Sequence, residues 1–412
     1  MIPPTASEVR DDQRRPTRRR AIIFRTLTLV LGIATGLAAT EVGFRMDETA
    51  GLGDRVGWTT ISDPELTVRI LPNTSGHDAN GFRNASVRSQ VDIVVLGDSQ
   101  TWGVNVHSVD AWPQQLERIS GRPVYNMAVG GYGPVQYWML TDHAISFAPK
   151  DIVVGLYFGN DIYDAYALAY SHDTYADLRS THASDHVKID TLKIRAKYYW
   201  DEEKHFHDHY GRSSSLLGWS FWLRVHSAIG RRLNRAGFWP GATDVDYEID
   251  RAWARTYPDH GVACEHAYVR TVLTPAYRLV GLDFDDPRVT EGLRITKEVL
   301  WRTQQNVNRS GIRLVVLLIP TKELVYAELL QPDIRPTGTY ARLIEMENRA
   351  RTEVASWCAA KRIACVDALP NLRHAIIRRQ PIYPSNTESH PNAAGYGVLA
   401  ATVSAALNNA HR

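Results

Sequence analysis

Uninterrupted apolar runs alternate with amphipathic stretches along most of the chain after about Val91. Five runs are rich in aliphatic residues, as buried strands are: VDIVVLGD, PVYNMAV, DIVVGLYFGN, IRLVVLLIP and IACVDA. Other stretches carry apolar residues at helical spacing: AWPQQLERISG, PVQYWMLTDHAISFA, GLRITKEVLWRTQQNVNRSG and NAAGYGVLAATVSAALNNA. Strands without polar alternation, separated by helices, predict an α/β fold in which a five-stranded parallel sheet is covered on both faces, giving three α/β/α layers.

This rhythm breaks between residues 162 and 287. The stretch is rich in Tyr, His, Trp and charged residues, and it is too long for a simple connection between two strands. Helical pieces such as SLLGWSFWLRVHSAIGRRLN occur in it. We therefore expect residues 91–412 to form the body of the protein, with a large helical insertion at 162–287 after the third strand. Residues 41–90 are expected to form an extended lead-in segment.

A charge-poor stretch near the N-terminus, residues 21–40, reads AIIFRTLTLVLGIATGLAAT and contains one charged residue, Arg25. Twenty residues of helix rise about 30 Å, the thickness of the hydrocarbon core of a bilayer. Arginines are dense in residues 1–20, and basic flanks favour the cytoplasmic side. We expect a basic cytoplasmic tail, a single-pass anchor in the inner membrane and a periplasmic or extracellular body. A cleaved signal peptide is the less favoured alternative.

Composition and charge narrow the range of partners. The chain has 412 residues and a formal net charge of +2, with 44% hydrophobic and 22% charged residues, which is an ordinary globular composition. Residues 1–25 hold seven arginines and three acidic residues, so the remainder carries 40 basic and 42 acidic residues. A body this close to neutral argues against nucleic acid as a partner.

Cysteine and histidine spacing predicts no metal site. The three cysteines leave open one disulfide with a free thiol or three buried thiols: Cys264, Cys358 and Cys365. The segment EEKHFHDHYG holds three histidines that could share a metal on a helix: His205, His207 and His209. Since no further ligand follows at a recognised spacing, a solvated polar segment is favoured, and the sequence implies no metal and no cofactor.

Small and polar residues follow the predicted strands. In open α/β sheets, ligands bind outside the carboxyl ends of the strands. After the first three strands come GDS with Ser99, NMAVGGYG with Gly131 and FGND with Asn160. After the last strand and a short helix comes TESHPNAAG, which holds Glu388 and His390. We expect these four segments to meet at one edge of the sheet.

This combination of residues matches the needs of acyl transfer. A serine hydroxyl is a weak nucleophile without an adjacent base, and His390 could take the proton from Ser99. Glu388 could hold the imidazole tautomer and stabilise the imidazolium. The backbone N–H groups of Ser99 and Gly131 and the side-chain amide of Asn160 could stabilise the oxyanion.

The four segments resemble the motif blocks of the SGNH (GDSL-type) hydrolases, serine enzymes with a flavodoxin-like α/β/α fold. GDSQT, NMAVGG and GND match the first three blocks, and the segment with His390 matches the last. The resemblance implies that Ser99 is the nucleophile, His390 the general base, and Gly131 and Asn160 oxyanion donors. DANGFRN, IPTKELVY and SHPNAAGY look like a membrane-anchored bacterial branch found alongside polysaccharide acetylation. The resemblance covers roughly residues 67–160 and 290–410.

One position departs from the family pattern. The family usually has Asp three residues before the histidine, where this chain has Thr387. Acetyltransferase-like members have Asp two residues before it, where this chain has Glu388, one methylene longer. Glu388 is therefore the predicted orienting acid, although some members work as Ser-His dyads. Lys322 in the PTKE segment follows a predicted strand and could reach the sheet edge, but a surface residue is the favoured interpretation.

Three functions fit these observations. The favoured one is a serine esterase that cleaves an acyl ester, of acetyl above all, from a carbohydrate or small molecule. An O-acetyltransferase that modifies an envelope polysaccharide is the second, and a non-catalytic envelope binding module the third. The carbohydrate preference depends on aromatic residues of the insertion among many polar ones, because aromatic faces stack on sugar rings: Tyr198, Tyr199, Trp200, Tyr210, Trp219 and Trp222.

Overall fold

The computed structural model describes residues 18–52, 59–74, 76–180, 227, 229–230, 233, 245–266, 269–328 and 337–409. The strands are β1 (Thr60–Asp63), β2 (Thr67–Ile70), β3 (Ile93–Gly97), β4 (Val124–Asn126), β5 (Asp151–Tyr157), β6 (Val262–His266), β7 (Val269–Leu273), β8 (Arg313–Ile319) and β9 (Ala364–Asp367). The first helices are α1 (Arg18–Leu52), α2 (Ser99–Trp102), α3 (Trp112–Ser120), α4 (Pro134–Met139), α5 (Thr141–Ser146) and α6 (Asp161–Ser171). Those that follow are α7 (Val245–Thr256), α8 (Pro275–Leu279), α9 (Pro287–Arg309), α10 (Lys322–Ala327), α11 (Gly338–Lys361), α12 (Leu369–Ile377) and α13 (Ala393–Asn409).

The central sheet has five strands in the order β4-β3-β5-β8-β9. Every neighbouring pair in it is parallel. This confirms the predicted fold class. The strand order reverses between β3 and β5, and in sheets of this kind the reversal opens a crevice at the carboxyl ends of those two strands. The last pair in their register is Gly97 with Gly155.

Alternate residues of the central strands enter two separate cores. On β5, Ile152, Val154 and Leu156 pack into one core, whereas Val153 and Tyr157 pack into the other. The first core also takes side chains from α4, α5, α6, α9 and α11, and the second from α3, α10, α12 and α13. Both faces of the sheet are therefore covered, which explains why the strand sequences carry no polar alternation.

The predicted elements have somewhat different bounds in the structure. The stretch PVQYWMLTDHAISFA, predicted as one helix, forms α4 and α5 with a break at Leu140. α3 ends where Gly121 adopts a left-handed conformation with φ of 67°, which glycine takes at little cost. The insertion contributes α7, the antiparallel pair β6-β7 and α8 among its described residues, whereas SLLGWSFWLRVH lies outside them.

The N-terminal helix α1 contains one segment long and apolar enough to cross a membrane, Ile22–Phe44, with a mean hydropathy of 1.9. None of that segment is buried. The first part of the predicted extended lead-in is helical, because α1 continues to Leu52, and further along β1 pairs with β2 as an antiparallel hairpin. No proline interrupts residues 18–52, so nothing local ends the helix where the apolar run ends.

Candidate active site

The first site segment begins where β3 ends. A Cβ on Gly97 or on Gly155 would collide with the hydroxyl of Thr101 on α2, so glycine at both strand ends lets α2 approach the sheet. Asp98 caps α2, since its carboxylate accepts a hydrogen bond from the N–H of Gln100 at 2.9 Å. Burial raises the pKa of Asp98 to about 6. Ser99 is consequently the first residue of the helix, directly beyond the sheet edge.

The far end of α2 is held by the lead-in segment. Arg83, which is fully buried, donates hydrogen bonds to the carbonyls of Trp102 at 2.9 Å, Gly103 at 2.5 Å and Val106 at 2.8 Å. Its guanidinium also lies 3.8 Å from the centre of the Trp102 ring. Since carbonyls at a helix C-terminus have no intrahelical partner, Arg83 stabilises the C-terminal end of α2 and the turn that follows it.

Ser99, His390 and Glu388 form a continuous chain of hydrogen bonds. His390 Nε2 lies 2.8 Å from Ser99 Oγ, and His390 Nδ1 lies 2.5 Å from Glu388 Oε1. Burial alone would raise the pKa of Glu388, but its hydrogen bonds and charge interaction with His390 lower it to about 2. The ionised carboxylate only accepts, so Nδ1 carries the proton and Nε2 is free to accept from the serine hydroxyl.

The two predicted oxyanion residues lie in the same cavity. Gly131 adopts a left-handed backbone with φ of 85°, which favours glycine. Asn160 precedes α6, and its amide nitrogen donates to the carboxylate of Asp164 at 2.6 Å. Burial, opposed by this hydrogen bond, raises the pKa of Asp164 to about 7. The cavity measures about 430 Å³ and is lined by Ser99, Gln100, Gly131, Tyr157, Asn160, Asp164, Tyr277, Arg278, Asn386, Thr387, Glu388, Ser389 and His390.

The loop that carries Glu388 and His390 is held by a buried ammonium group. Lys322 is 1% exposed, and its Nζ donates to the carbonyls of Pro384 at 3.1 Å, Asn386 at 2.7 Å and Glu388 at 3.0 Å. Burial lowers the pKa of Lys322 to about 8. The interpretation of Lys322 as a surface residue is therefore wrong, because three backbone acceptors replace its water shell.

Sequence reasoning missed two residues of the site, Asp164 and Arg278, and interpreted a third, Lys322, as exposed. Asp164 stands one helical turn after Asn160, and this four-residue spacing is a signal that could have found it. Lys322 directly follows a predicted strand, which placed it near the sheet edge but gave no sign of burial. Arg278 lies on the short helix α8, where neither period nor motif marks a site.

Other candidate groups do not join this cavity. The histidines at 205, 207 and 209 lie outside the described residues, as do the six aromatic residues named for sugar stacking: Tyr198, Tyr199, Trp200, Tyr210, Trp219 and Trp222. Within the residues described above, no group of three or more His, Cys, Asp or Glu side chains could hold a metal ion. The three cysteines are free thiols, with Cys264 and Cys358 buried and Cys365 partly buried.

Comparison with known proteins yields structural matches only. No protein-family model and no curated sequence matches the chain. A member of the lipolytic G-D-S-L family from Veillonella parvula is 11% identical over 76% of this chain and 94% of its own, with a TM-score of 0.32. A GDSL-like lipase from Bacteroides thetaiotaomicron is 9% identical over 77% of this chain and 88% of its own, with a TM-score of 0.31. A lipase from a goat rumen metagenome is 11% identical over 77% of this chain and 97% of its own, with a TM-score of 0.33. At these values the matches carry no functional argument, which depends instead on the site itself.

Proposed function

We propose that this protein is a serine esterase that cleaves an acyl ester through a covalent acyl-enzyme. The observation that carries the proposal is the hydrogen-bonded chain from Ser99 Oγ through the His390 imidazole to the Glu388 carboxylate, at 2.8 Å and 2.5 Å. These three hydrogen-bonded side chains line a cavity that is also lined by Gly131 and Asn160. A nucleophile, a base, an orienting acid and oxyanion donors in one cavity are the parts that acyl transfer requires.

The reaction follows from the protonation states of these groups. The Ser99 oxygen attacks the ester carbonyl while its proton passes to His390 Nε2. The negative charge that develops on the carbonyl oxygen is met by the backbone N–H groups of Ser99 and Gly131 and by the amide of Asn160. His390 then returns the proton to the departing alcohol. Water, deprotonated by the same imidazole, attacks the acyl-enzyme and releases the carboxylic acid with Ser99 restored.

A polar substrate with a short acyl group fits this cavity best. Long acyl chains need a long apolar groove, but no residue described as lining the cavity is aliphatic. Its volume of about 430 Å³ is within the range of small-molecule sites, ~300–1,000 Å³. Tyr157 and Tyr277 offer aromatic rings beside several amide, hydroxyl and carboxylate groups. We infer that the substrate is an acetylated carbohydrate.

The assay uses the full-length protein in detergent with short-chain and long-chain nitrophenyl esters, with and without oligosaccharide acceptors. Release of acetate into water from the short ester supports the esterase. Release that needs an acceptor and yields acetylated sugar would assign an acetyltransferase, since the two activities share the acyl-enzyme and differ in the acceptor. A preference for long chains overturns the carbohydrate assignment, and inactivity on every ester overturns the enzymatic proposal.

We infer further that α1 anchors the protein in the inner membrane with the body outside the cytoplasm. Support comes from the apolar segment Ile22–Phe44 and from the arginines that precede it. Alkaline phosphatase, which is active only outside the cytoplasm, should be active when fused after about residue 50. A cytoplasmic reporter that is active at the same junction would reverse this topology, and a shortened mature N-terminus would show a cleaved signal peptide instead.

A further inference from the structure

One buried cation of the cavity, Arg278, has no anionic partner among the residues that the structure describes. Arg278, on α8, is 8% exposed and lines the cavity beside the catalytic loop. Within the described part of the chain, its guanidinium donates one hydrogen bond, from Nη2 to Ser389 Oγ at 2.5 Å, and Nε has no partner there. Among the described residues, no carboxylate lies within ion-pair distance of Arg278.

Two other arginines that are buried to the same degree each bind a carboxylate. Arg288 is 9% exposed and binds the carboxylate of Asp286 at 2.6 Å, and Arg351, 8% exposed, binds Asp367. The always-charged guanidinium makes such pairing the usual solution, because an uncompensated buried charge is strongly destabilising. Arg278 differs from these two in lining a cavity, where a ligand can supply the missing charge.

The surroundings of Arg278 keep it charged and aimed at the cavity. Its guanidinium lies 4.6 Å from the ring centre of Tyr277 and 5.9 Å from that of Tyr157, and both tyrosines line the cavity. Burial disfavours its charge, but more distant groups that include Glu323 and Glu388 hold the pKa above its ordinary value. Glu388 is engaged by His390, so it does not neutralise the guanidinium directly.

We propose that Arg278 binds a carboxylate or phosphate on the alcohol part of the ester, so that the preferred substrate is an acylated acidic sugar. The guanidinium fork matches both anions, which can accept two parallel hydrogen bonds. The alcohol side is assigned because His390 returns its proton to the leaving alcohol, and Arg278 is hydrogen-bonded to Ser389, the residue next to that histidine. This inference rests on the proposed esterase function and names its substrate class.

The test compares two singly O-acetylated sugars that differ in one group, a methyl glucuronoside and a methyl glucoside. Acetate release by the full-length protein in detergent gives kcat/KM for each at low ionic strength. The wild type should prefer the glucuronoside by about 10- to 100-fold, the value of hydrogen bonds to a charged group. Arg278→Met should reduce the preference to about one, and Arg278→Lys should keep part of it.

Two control variants separate binding from loop positioning. Arg288→Met removes an equally buried arginine that lies outside the cavity, and it should keep the wild-type preference. Ser389→Ala breaks the hydrogen bond to Arg278 but leaves the guanidinium in place, so the preference should persist. If Arg278→Met lowers kcat/KM equally on both sugars, and Ser389→Ala does the same, Arg278 only holds the loop and the proposal is overturned.

A binding measurement keeps this inference distinct from the proposed function. Calorimetry on Ser99→Ala protein should show methyl glucuronoside or methyl glucoside 6-phosphate binding at least about tenfold more tightly than methyl glucoside, and adding Arg278→Met should abolish the difference. Whichever of the two charged sugars binds more tightly shows whether the site prefers a carboxylate or a phosphate. Equal binding of all three sugars refutes the anion site even if esters are hydrolysed. Mono-nitrophenyl succinate carries a carboxylate on its acyl part, and nitrophenyl butyrate does not. If the enzyme prefers the succinate ester but shows no preference for the glucuronoside, the placement of the anion on the alcohol side is overturned.

Discussion

The nucleophile segment, Asp98–Gly103, and the base loop, Asn386–His390, meet in one cavity but are held in different ways. The nucleophile segment continues a buried strand, begins with a capping aspartate and runs directly into a helix, so backbone geometry determines where Ser99 lies. The base loop contains no helix or strand. Its position depends on side chains from elsewhere, chiefly Lys322 and, through Ser389, Arg278.

The difference shows two ways of placing a reactive group. A strand end and a helix start share their hydrogen bonds among many backbone groups, so losing one side chain leaves most of the scaffold. A loop held by a few distant side chains concentrates its support in them, above all in Lys322 with its three hydrogen bonds. We therefore expect the base loop to be the more fragile half of the site, and the following experiments test that expectation from the largest effect to the smallest.

Removing the nucleophile should have the largest effect. Ser99→Ala leaves the fold intact but removes the oxygen that forms the acyl-enzyme, so kcat on an acetyl ester should fall by at least about 10³-fold. His390→Ala should cost about as much, because members of a catalytic unit are not additive. Initial rates of acetate release measure both, and a Ser99→Ala protein with the normal rate would contradict the mechanism.

Replacing the orienting acid should come next. Glu388→Gln keeps size and hydrogen bonding but loses the charge that holds the Nδ1–H tautomer, so kcat should fall by about 10²- to 10⁴-fold. Thr387→Val is the matched control at the position where the SGNH pattern has its acid, and it should cost less than about tenfold. If the Thr387 variant is the more damaged of the two, the orienting role does not belong to Glu388.

The supports of the two segments can be compared directly. Lys322→Met leaves three loop carbonyls without a donor, and a displacement of about 1 Å can cost about 10²-fold in rate. Arg83→Met also leaves three carbonyls, at the end of α2, but the strand and cap remain, so its kcat should fall less. Kinetics and circular dichroism on both variants, with Lys322→Arg as the conservative replacement, make the comparison. A larger kcat loss in folded Arg83→Met would reverse the ranking of the two segments.

The smallest effect is expected from Asp164, which holds the Asn160 amide. The pKa of Asp164 is raised to about 7, so the folded protein binds a proton that the unfolded chain has lost above about pH 4. Its contribution to stability is present below pH 4 and is lost as the pH rises through about 7. Asp164→Asn should therefore gain a few degrees in melting temperature relative to wild type between pH 5 and 8, with kcat reduced less than about tenfold. If the melting temperatures of wild type and Asp164→Asn change in parallel across that pH range, the raised pKa of Asp164 is contradicted.

Sequence reasoning succeeded where a local pattern determines the structure. The aliphatic runs of β3, β5 and β8 predict a buried parallel sheet, and the residues after the strands predict which side chains line one cavity at the sheet edge. It failed where side chains distant in sequence meet. The burial of Lys322 depends on carbonyls more than 60 residues away, and Arg278 reaches Ser389 across 111 residues. No period or spacing records such contacts, since they arise from packing alone.

The grip of Arg83 on α2 has a practical consequence for dissecting the protein. The arginine lies 20 residues upstream of one carbonyl that it binds, before the first strand of the central sheet. A version that is trimmed to the α/β/α layers would keep the residues that line the cavity but would lose the hydrogen bonds from Arg83 to the end of α2, the helix that begins with Ser99. Any water-soluble fragment should therefore start before Thr60, so that it includes the β1-β2 hairpin and Arg83 together with the α/β/α layers.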